Sequence, residues 1–332
     1  MKNVFGILEP MFIIPEKTQA GYSFFGDIPD RISFENSEVV VYGVPIDITT
    51  SFGKGTSRGP EAIRLTSALQ VETFVFEEKK DVHEHLRIYD LGDLRIPVRG
   101  QNTNNNNNHY ENNSVTATLS FLDKTVPKIT SLLYDSNKTP IIVGGEHTLS
   151  YYTVKAFAKE RPLIIHFDAH RDMKKEYEGK KLCHTTLFFH LINEGYIQGK
   201  NIVQIGIRQS DQKENKLAED NGVVTFDAWD IHKNINSILQ YLRNVTHHRK
   251  IYISIDIDVY DLPYVPCTGT PEPFGLDPFQ VIEIIKSIDE TACLIGMDMV
   301  EVSLQNNDYR EGTLATETLL RILSSSFIKS RI

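Results

Sequence analysis

Short apolar runs alternate with amphipathic stretches along most of this chain, and this alternation limits the possible folds more than any other feature. Residues 39–42 form the first apolar run. Six further runs lie at 140–143, 163–167, 202–206, 223–226, 251–257 and 292–299, and candidate helices lie near 148–160, 184–195, 213–221, 234–244, 277–289 and 313–328. Strands separated by helices pair in parallel through right-handed crossovers, and helices then cover both faces of the sheet. The sequence therefore predicts an α/β fold of three layers, α/β/α, around a mostly parallel central sheet.

The chain is long enough for one large α/β domain or for two ordinary ones. Its 332 residues contain no glycine-serine or proline-rich linker between the apolar runs, so we expect a single domain over residues 38–332. Residues 1–37, rich in phenylalanine, proline and glycine, are predicted to be an irregular lead-in that packs on this domain or on a neighbouring subunit. The asparagine-rich run at 101–113 cannot bury apolar surface and is predicted to be a loop insertion. From Val115, apolar residues repeat every three or four positions and predict a helix that bends at Pro127.

Charge and cysteine content argue against several classes of protein. A formal net charge of -9 makes a nucleic-acid partner unexpected. The 3 cysteines show no CxxC spacing, which argues against a disulfide framework and indicates a reducing compartment. The N-terminus does not resemble a signal peptide, because Glu9, Pro10 and Pro15 break its apolar stretch. No apolar run approaches the ~20 residues needed to cross a bilayer, so we expect a soluble, cytoplasmic protein without a membrane partner.

Polar residues of the metal-ligand type follow the apolar run at 163–167. Alternate side chains of an extended backbone point to the same side, so Asp168, His170 and Asp172 can converge on one point. Carboxylates and an imidazole without a thiolate suit a hard or borderline divalent ion such as Mn²⁺ better than a structural zinc. A polar strand end that faces solvent is the alternative. The preceding His166 is predicted to be a hydrogen-bonded core histidine.

Two other strand ends carry residues of the same type. Asp256 and Asp258 end a run of β-branched residues, and two carboxylates buried there either become protonated or bind a metal. His147 follows paired glycines, which let the backbone approach a crowded site. In parallel sheets, ligands bind beyond the carboxyl ends of the strands. Such positions are occupied by His147, Asp168, Asp256, Asp258 and Glu301.

Three separated motifs, in the same order along the chain, resemble those of the ureohydrolase family of arginases, agmatinases and their relatives. They are Gly-Gly-Glu-His at 144–147, Asp-Ala-His-Arg-Asp at 168–172 and Ser-Ile-Asp-Ile-Asp at 254–258. Residues 43–47 and 59–64 resemble an N-terminal agmatinase pattern, and residues 297–302 resemble the segment that carries the family's guanidinium-binding glutamate. The resemblance runs from about Val39 to the C-terminus, is closest to agmatinases, and implies an arginase-like fold.

The candidate ligands are too many for one ion but suit two ions that share carboxylates. They are His147, Asp168, His170, Asp172, Asp256 and Asp258. The resemblance implies two Mn²⁺ ions per subunit, with Ni²⁺ or Co²⁺ as alternatives, and Asp168 and Asp256 as bridging ligands. His147 and Asp172 would complete the shell of one ion, and His170 and Asp258 that of the other. Four carboxylates nearly cancel the charge of two dications, which makes burial of the site tolerable.

The resemblance also implies hydrolysis of a guanidinium by water activated between the two ions. Glu301 would bind the NH groups of the substrate, and Asp172 would orient the attacking water and the developing amino group. His184 would contact the substrate and carry a proton to the leaving amine. It follows Cys183, where relatives have a serine-histidine pair. A packing or capping role for His184 is the alternative.

The sequence leaves the substrate open. Residues 174–181 do not resemble the arginase segment that grips an α-amino acid carboxylate, which favours agmatine, cleaved to urea and to putrescine for polyamine biosynthesis. The lysines of this segment also admit arginine or guanidinobutyrate, and formiminoglutamate is a further alternative. Outside this family, a mononuclear zinc deacetylase or a catalytically silent metal-binding regulatory protein would use a similar fold. By resemblance we expect a small guanidino substrate and a homotrimer or homohexamer.

Overall fold

The computed structural model describes residues 3–25, 32–97 and 108–328, with the backbone alone for 108–113. The strands are β1 Phe12–Ile13, β2 Val39–Val44, β3 Phe74–Val75, β4 Lys80–Asp81, β5 Ile88–Leu94, β6 Thr139–Gly144, β7 Leu163–Phe167, β8 Ile202–Ile207, β9 Val224–Asp227, β10 Lys250–Asp256 and β11 Cys293–Val300. The helices are α1 Val4–Leu8, α2 Gly59–Leu69, α3 Val82–His85, α4 Asn108–Asp135, α5 Thr148–Ala156, α6 Leu187–Asn193, α7 Gln212–Asp220, α8 Ala228–Lys233, α9 Ile235–Val245, α10 Pro278–Lys286 and α11 Arg310–Leu323.

The central sheet has nine strands in the order β1-β5-β2-β6-β11-β10-β7-β8-β9. The edge strand β1 pairs with β5 in the antiparallel direction, and the other pairs of this sheet are parallel. Two apolar cores cover its two faces, because successive side chains of a strand point to opposite sides. Val39 and Val41 of β2 lie in one core, and Val40 and Tyr42 lie in the other. The predicted three-layer α/β/α fold is confirmed.

Strand β5 was not predicted from the sequence, because its residues do not form an apolar run. Asp90 and Asp93 lie within it, and both carboxylates bind the fully buried guanidinium of Arg64 from α2. Arg64 Nε lies 2.8 Å from Asp90 Oδ2, and Arg64 Nη1 lies 2.5 Å from Asp93 Oδ1. A buried ion pair can therefore replace apolar side chains in one strand of a parallel sheet.

Two predictions about irregular segments need correction. The lead-in at 1–37 contains the helix α1 and the edge strand β1, which extends the sheet beyond β5. In the predicted loop insertion at 101–113, the helix α4 already begins at Asn108, and residues 101–107 lie outside the described residues. Helices extend cooperatively beyond the residues that pack, so apolar periodicity underestimates their length. Helix α4 also continues through Pro127 to Asp135.

Long apolar helices are absent from the described ranges. No helix in residues 3–25, 32–97 or 108–328 combines the length and hydropathy needed to cross a bilayer.

Candidate metal centre and substrate pocket

Four neighbouring strands deliver the candidate ligands to one edge of the sheet. In the sheet order, β6, β11, β10 and β7 are adjacent, and polar residues follow or end each of them. His147 follows β6, Glu301 follows β11, and Asp168 follows β7. Asp256 ends β10, and Asp258 lies in the 3₁₀ turn Ile257–Val259 that comes next. The arrangement agrees with the rule that ligands bind beyond the carboxyl ends of parallel strands.

The first cluster, here called the His147 group, consists of His147, Asp168, Asp172 and Asp256. His147 Nδ1 lies 3.1 Å from Asp168 Oδ2, 2.9 Å from Asp172 Oδ2 and 3.2 Å from Asp256 Oδ2. All four side chains are buried. Three carboxylate oxygens from separate places along the chain therefore surround one imidazole nitrogen.

The second cluster, here called the His170 group, consists of His170, Asp168 and Asp258. His170 Nδ1 lies 2.9 Å from Asp258 Oδ2 and 3.5 Å from Asp168 Oδ1. Asp168 thus turns one oxygen to each group, which is the position expected of a bridging ligand. Asp256, also expected to bridge, faces His147 with Oδ2, whereas its Oδ1 accepts the amide of Asp258 at 2.9 Å. Any bridging by Asp256 would therefore use Oδ2.

A hydrogen-bond relay sets the tautomer of His147. Ser254 Oγ donates its proton to Asp298 Oδ1 at 2.7 Å. Ser254 Oγ therefore accepts the hydrogen bond that it shares with His147 Nε2 at 3.1 Å. With the proton on Nε2, the neutral form of His147 directs the lone pair of Nδ1 at the carboxylates, as a metal ligand would. Without a cation, burial lowers the pKa of His147, but the three carboxylates outweigh burial and raise this pKa well above its ordinary range. Nδ1 is buried with no hydrogen-bond partner among the residues that the structure describes. A cation at this point satisfies the lone pair and the carboxylates together, so the donor set fits a divalent metal.

Burial of these carboxylates changes their ionisation. Desolvation, reinforced by the charge of Asp168, raises the pKa of Asp172 to about 7. Desolvation also raises the pKa of Asp256 well above its ordinary range, with added repulsion from Asp258 and Asp168. Side chains that resist ionisation when no cation is near become favourable ligands when a dication offsets their charge.

His166 makes a hydrogen bond to the carboxylate of Asp168. Gln204 Oε1 accepts a bond from Arg171 Nη1 at 2.9 Å, which orients the amide so that Gln204 Nε2 donates to His166 Nδ1 at 3.3 Å. His166 Nε2 then carries the proton that it donates to Asp168 Oδ2 at 2.8 Å. A ring nitrogen that carries a proton cannot bind a metal. The prediction of a hydrogen-bonded core histidine is confirmed, and its partner is a candidate ligand.

These supporting residues form a polar row across four strands. Strand register pairs Gln204 of β8 with His166 of β7, His166 with Ser254 of β10, and Ser254 with Asp298 of β11. The row lies directly beneath both ligand groups. Because it depends on pairing between strands that are distant in sequence, single-strand patterns do not predict it.

Two candidate site residues adopt a left-handed backbone. Asp172 has φ of 53° and Glu301 has φ of 59°, a region that costs a residue with a Cβ about 1 kcal/mol or more. Both side chains are buried. Backbone strain of this kind concentrates at functional sites, where the surrounding structure holds a side chain in one direction.

Glu301 extends from the metal-type residues into the adjoining space. Its Oε1 accepts the amide of His147 at 2.7 Å, and its Oε2 faces Gly269, where a Cβ would lie 3.0 Å away. Burial raises the pKa of Glu301 well above its ordinary range, while the His147 amide lowers it. Oε2 is therefore the oxygen available to a cationic ligand.

His184 lies on the opposite side of this space. Its Nε2 lies 3.3 Å from Ser51 Oγ, and its backbone amide donates to Thr49 Oγ1 at 3.3 Å. Within the described part of the chain, its Nδ1 is buried and has no hydrogen-bond partner. Burial, together with the positive charge of His170 and His147, lowers the pKa of His184 to about 4. The imidazole is therefore neutral near neutral pH and can accept a proton.

A cavity of about 140 Å³ connects these groups. Residues of both ligand groups line it, together with Glu301 and His184. Its remaining walls are Ser51, Lys174, Tyr177, Thr185 and Thr270. Ser51 lies in the glycine- and serine-rich loop after β2. Lys174 and Tyr177 belong to the segment 174–181, which the sequence relates to substrate choice, whereas Thr185 and Thr270 had no individual signal, because their approach depends on the folding of long loops.

Comparison with known proteins agrees with this geometry. The family model described as "Arginase family" matches residues 37–324. The chain belongs to the arginase family. An agmatinase of Bacillus anthracis is 30% identical over 305 residues, which cover 91% of this chain and 96% of that protein. An agmatinase of Pyrococcus horikoshii is 29% identical over 281 residues, which cover 85% of this chain and 89% of that protein. The crystal structure of an agmatine ureohydrolase of Thermoplasma volcanium superimposes with a TM-score of 0.75 at 26% identity. The match covers 89% of this chain and 92% of that chain.

Membership of the arginase family confirms the resemblance found in the sequence. It identifies the chain as a hydrolase that acts on guanidino compounds. The arginase-family fold implies a binuclear divalent metal centre, and the two His/Asp groups that share Asp168 provide a place for one. The six predicted ligands all lie in these groups, and the predicted Glu301 and His184 line the same cavity.

Proposed function

We propose that this arginase-family protein is an agmatinase-type ureohydrolase, which cleaves the guanidinium of agmatine to putrescine and urea. The observation that carries the proposal is one cavity lined jointly by the two ligand groups, the buried carboxylate of Glu301 and the imidazole of His184. A cation-binding carboxylate, a place for activated water and a proton carrier are what hydrolysis of a guanidinium requires.

In the proposed centre, two divalent cations, Mn²⁺ first and Ni²⁺ or Co²⁺ as alternatives, are held by six side chains. The ligands are His147, Asp168, His170, Asp172, Asp256 and Asp258. When bound, the two cations would supply a water of lowered pKa as the nucleophile for the guanidinium carbon at neutral pH.

The chain's own residues then bind and orient the substrate. Glu301 Oε2 accepts the NH groups of the guanidinium and holds the carbon in place, while Oε1 stays fixed by the His147 amide. The carboxylate of Asp172, directed by its left-handed backbone, orients the attacking water and accepts from the developing amino group. His184, neutral at rest, takes up a proton and delivers it to the leaving amine.

The walls of the cavity support agmatine over substrates that carry a carboxylate. Lys174 is the lysine that lines the cavity, yet its ammonium already donates to Asp211 at 2.8 Å and to Glu214 at 2.7 Å. Two carboxylates offset its charge, so it offers little to the carboxylate of arginine or guanidinobutyrate. Next to the cavity-lining His170, Glu272 Oε1 lies 3.8 Å from His170 Nε2, and the side chain of Glu272 is 27% exposed. A partly exposed carboxylate near the cavity suits the primary amine of agmatine.

The proposal includes the cellular setting and the assembly. The free thiols of Cys183, Cys267 and Cys293 suit a reducing, cytoplasmic compartment. A homotrimer or homohexamer is the assembly expected from the family. A silent metal-binding protein is disfavoured, because every predicted ligand is present and the cavity reaches the ligand groups.

The test is urea release by protein reconstituted with Mn²⁺. Agmatine, arginine, guanidinobutyrate and free guanidine are compared by urea release and formiminoglutamate by formamide release, and agmatine is expected to give the highest kcat/KM. Glu301→Gln is expected to keep both ions and to lose activity toward every guanidino compound. A protein that binds two ions but releases urea from none of these substrates would contradict the proposal.

A further inference from the structure

Glu311 is a buried carboxylate that the proposed reaction does not use. It lies in the first turn of α11 and is 1% exposed. Its Oε1 accepts the amide of Cys267 at 2.5 Å, and its Oε2 accepts the amide of Ser303 at 3.0 Å. Neither bond caps the helix, because both donors belong to other segments. Both oxygens of the carboxylate are therefore committed to loops outside α11.

The two loops that Glu311 joins lie on either side of Glu301. Cys267 belongs to residues 266–271, here called the mouth segment, and Ser303 comes two positions after Glu301. Thr268 of the mouth segment donates its hydroxyl to the carbonyl of Glu301 at 2.9 Å. Gly269 then approaches so closely that a Cβ there would lie 3.0 Å from Glu301 Oε2. The mouth segment thus forms the wall against the oxygen that is free to bind a ligand.

The same wall is tied to the loop after β2. The amide of Gly53 donates to the carbonyl of Gly269 at 2.8 Å. A shift of the mouth segment would therefore move both the wall beside Glu301 and the loop that carries Ser51. The bonds of Glu311 to Cys267 and Ser303 hold the two ends of this arrangement at a fixed separation from inside the fold, and Gln305 Nε2 adds bonds to the Cys267 carbonyl at 3.0 Å and to Ser303 Oγ at 3.2 Å.

We propose that Glu311 is a positioning residue that sets the width of the guanidinium pocket by fixing the mouth segment against Glu301. This inference rests on the proposed function of Glu301. Burial raises the pKa of Glu311 to about 7, although the amides of Ser303, Cys267 and Thr268 act in the opposite direction. The carboxylate is thus held in the fold at an electrostatic cost, by amide donors that belong to the pocket wall.

Glu311→Gln tests the proposal because glutamine keeps the size of the side chain but has one acceptor oxygen instead of two. Its NH₂ group must face one of the two amides, so one of the two bonds that join the mouth segment to Ser303 through residue 311 is lost. We expect the KM for agmatine and the inhibition constant of the guanidinium ion to rise by about tenfold, the effect of one lost hydrogen bond to a charged group. The kcat should stay within about twofold, because uniform binding is lost rather than transition-state stabilisation. Metal content should remain that of the wild type.

Hydrogen–deuterium exchange provides a readout that does not depend on activity. In Glu311→Gln, the amides of residues 267–269 and of Ser303 should exchange faster than in the wild type, because their acceptor is weakened. The matched control is Glu317→Gln on the same helix, whose carboxylate pairs with Arg321 on an exposed face. This control should change neither KM nor exchange in the mouth segment.

A second variant keeps the test decisive if Glu311→Gln folds poorly. Thr268→Val removes only the hydroxyl bond to the Glu301 carbonyl and should raise KM in the same direction. If both variants fold and neither changes KM, the inference is overturned. If Glu311→Gln does not fold, an unchanged KM in Thr268→Val overturns it. If the wild type hydrolyses no guanidino compound, the proposed function fails. The hydrogen–deuterium exchange rates then test the positioning role of Glu311 on their own. Unchanged exchange at 267–269 and 303 in folded Glu311→Gln would overturn the positioning role.

Discussion

Asp256 links the two ligand groups through its two oxygens. Oδ2 faces His147, and Oδ1 holds the amide of Asp258, which fixes the turn that presents the second group. Replacement by asparagine keeps the shape but removes a negative charge and exchanges one oxygen for an NH₂ donor. Loss of the Asp256 carboxylate should therefore disturb both ligand groups.

Asp256→Asn should bind at most one of the two ions and lose at least about 100-fold in activity, more than is typical for a residue that only supports a ligand. Elemental analysis of the purified protein and urea release measure the two effects. Asp220→Asn is the control, because Asp220 pairs with Lys216 on the surface. Two bound ions together with wild-type turnover in Asp256→Asn would contradict the assignment.

The protonation of His184 can be followed directly. Its pKa is lowered to about 4 by burial and by His170 and His147, so the folded protein resists its protonation between the ordinary value of 6.5 and about 4. The unfolded chain binds the extra proton in this window, so this residue makes the fold less stable as pH falls through it. Histidine side-chain NMR spectra of the wild type and of His184→Ala should assign one resonance that titrates below about pH 5. A midpoint near 6.5 would contradict the burial argument.

Single residues of the site were predictable only where local spacing determines them. The alternate spacing of Asp168, His170 and Asp172 predicts convergence on one point, but the structure places Asp172 beside His147 and His170 beside Asp258, with Asp168 in both groups. The relay from Asp298 to His147 was not predictable, because it depends on the register of β10 against β11. The left-handed backbone of Asp172 could not be predicted either, because the residue at this position is not a glycine.

Between elements, Arg64 joins helix α2, strand β5 and the lead-in. It binds Asp90 and Asp93 of β5, and Asp90 also accepts the amide of Phe24 at 2.8 Å. Nothing in the sequence predicts the strand beside α2, because two carboxylates interrupt the apolar pattern of β5. Patterns of burial identify elements packed by apolar side chains and miss those held by a buried ion pair.

Arg64→Met should lower the free energy of unfolding by about 3–5 kcal/mol, because it leaves two buried carboxylates without a cation. Chemical denaturation measures the loss. Arg58→Met is a control at the start of the same helix: Arg58 pairs with Glu61 at 2.7 Å but is 42% exposed, so its loss should cost about 1 kcal/mol at most. Equal destabilisation by the two variants would show that burial of the pair is unimportant.

For the whole molecule, metal binding and folding are coupled, because the ligands come from loops after β6, β7 and β10. Removal of the ions with a chelator should lower Tm by about 4 °C, as expected when ligand at about 100 times its Kd stabilises a fold of this length by ~2.7 kcal/mol. Calorimetry of the metal-free and the reconstituted protein measures the shift. An unchanged Tm would show that the ligand groups are not held together by cations.

The pH dependence of stability should reverse its sign between the two forms. In metal-free protein the pKa of Asp172 is raised from 3.8 to about 7, so the folded state binds more protons than the unfolded state in this window. In a His184→Ala background, where the opposite contribution of His184 is removed, the stability of the metal-free form should therefore fall as pH rises from about 4 to about 7. In the reconstituted form protons compete with metal, so stability should rise with pH. Denaturation at about pH 5 and about pH 7.5 tests this, and the same slope in both forms would contradict it.

The global fold was the most predictable property, because alternation of strands and helices leaves few topologies. The order of the nine strands and the convergence of three motifs at four neighbouring strand ends do not follow from the sequence pattern, because both depend on which strands pair. Loops such as residues 45–58 and 257–277, which close the cavity, could not be predicted in shape, because their contacts join distant parts of the chain, as from Gly53 to Gly269.

Anomalous diffraction from crystals grown with Mn²⁺ would show directly whether two cations occupy the ligand groups. We expect two peaks per chain, roughly 3.5–4 Å apart, one nearest His147 and Asp172 and the other nearest His170 and Asp258, with Asp168 between them. A single peak, or peaks away from these side chains, would contradict the binuclear centre.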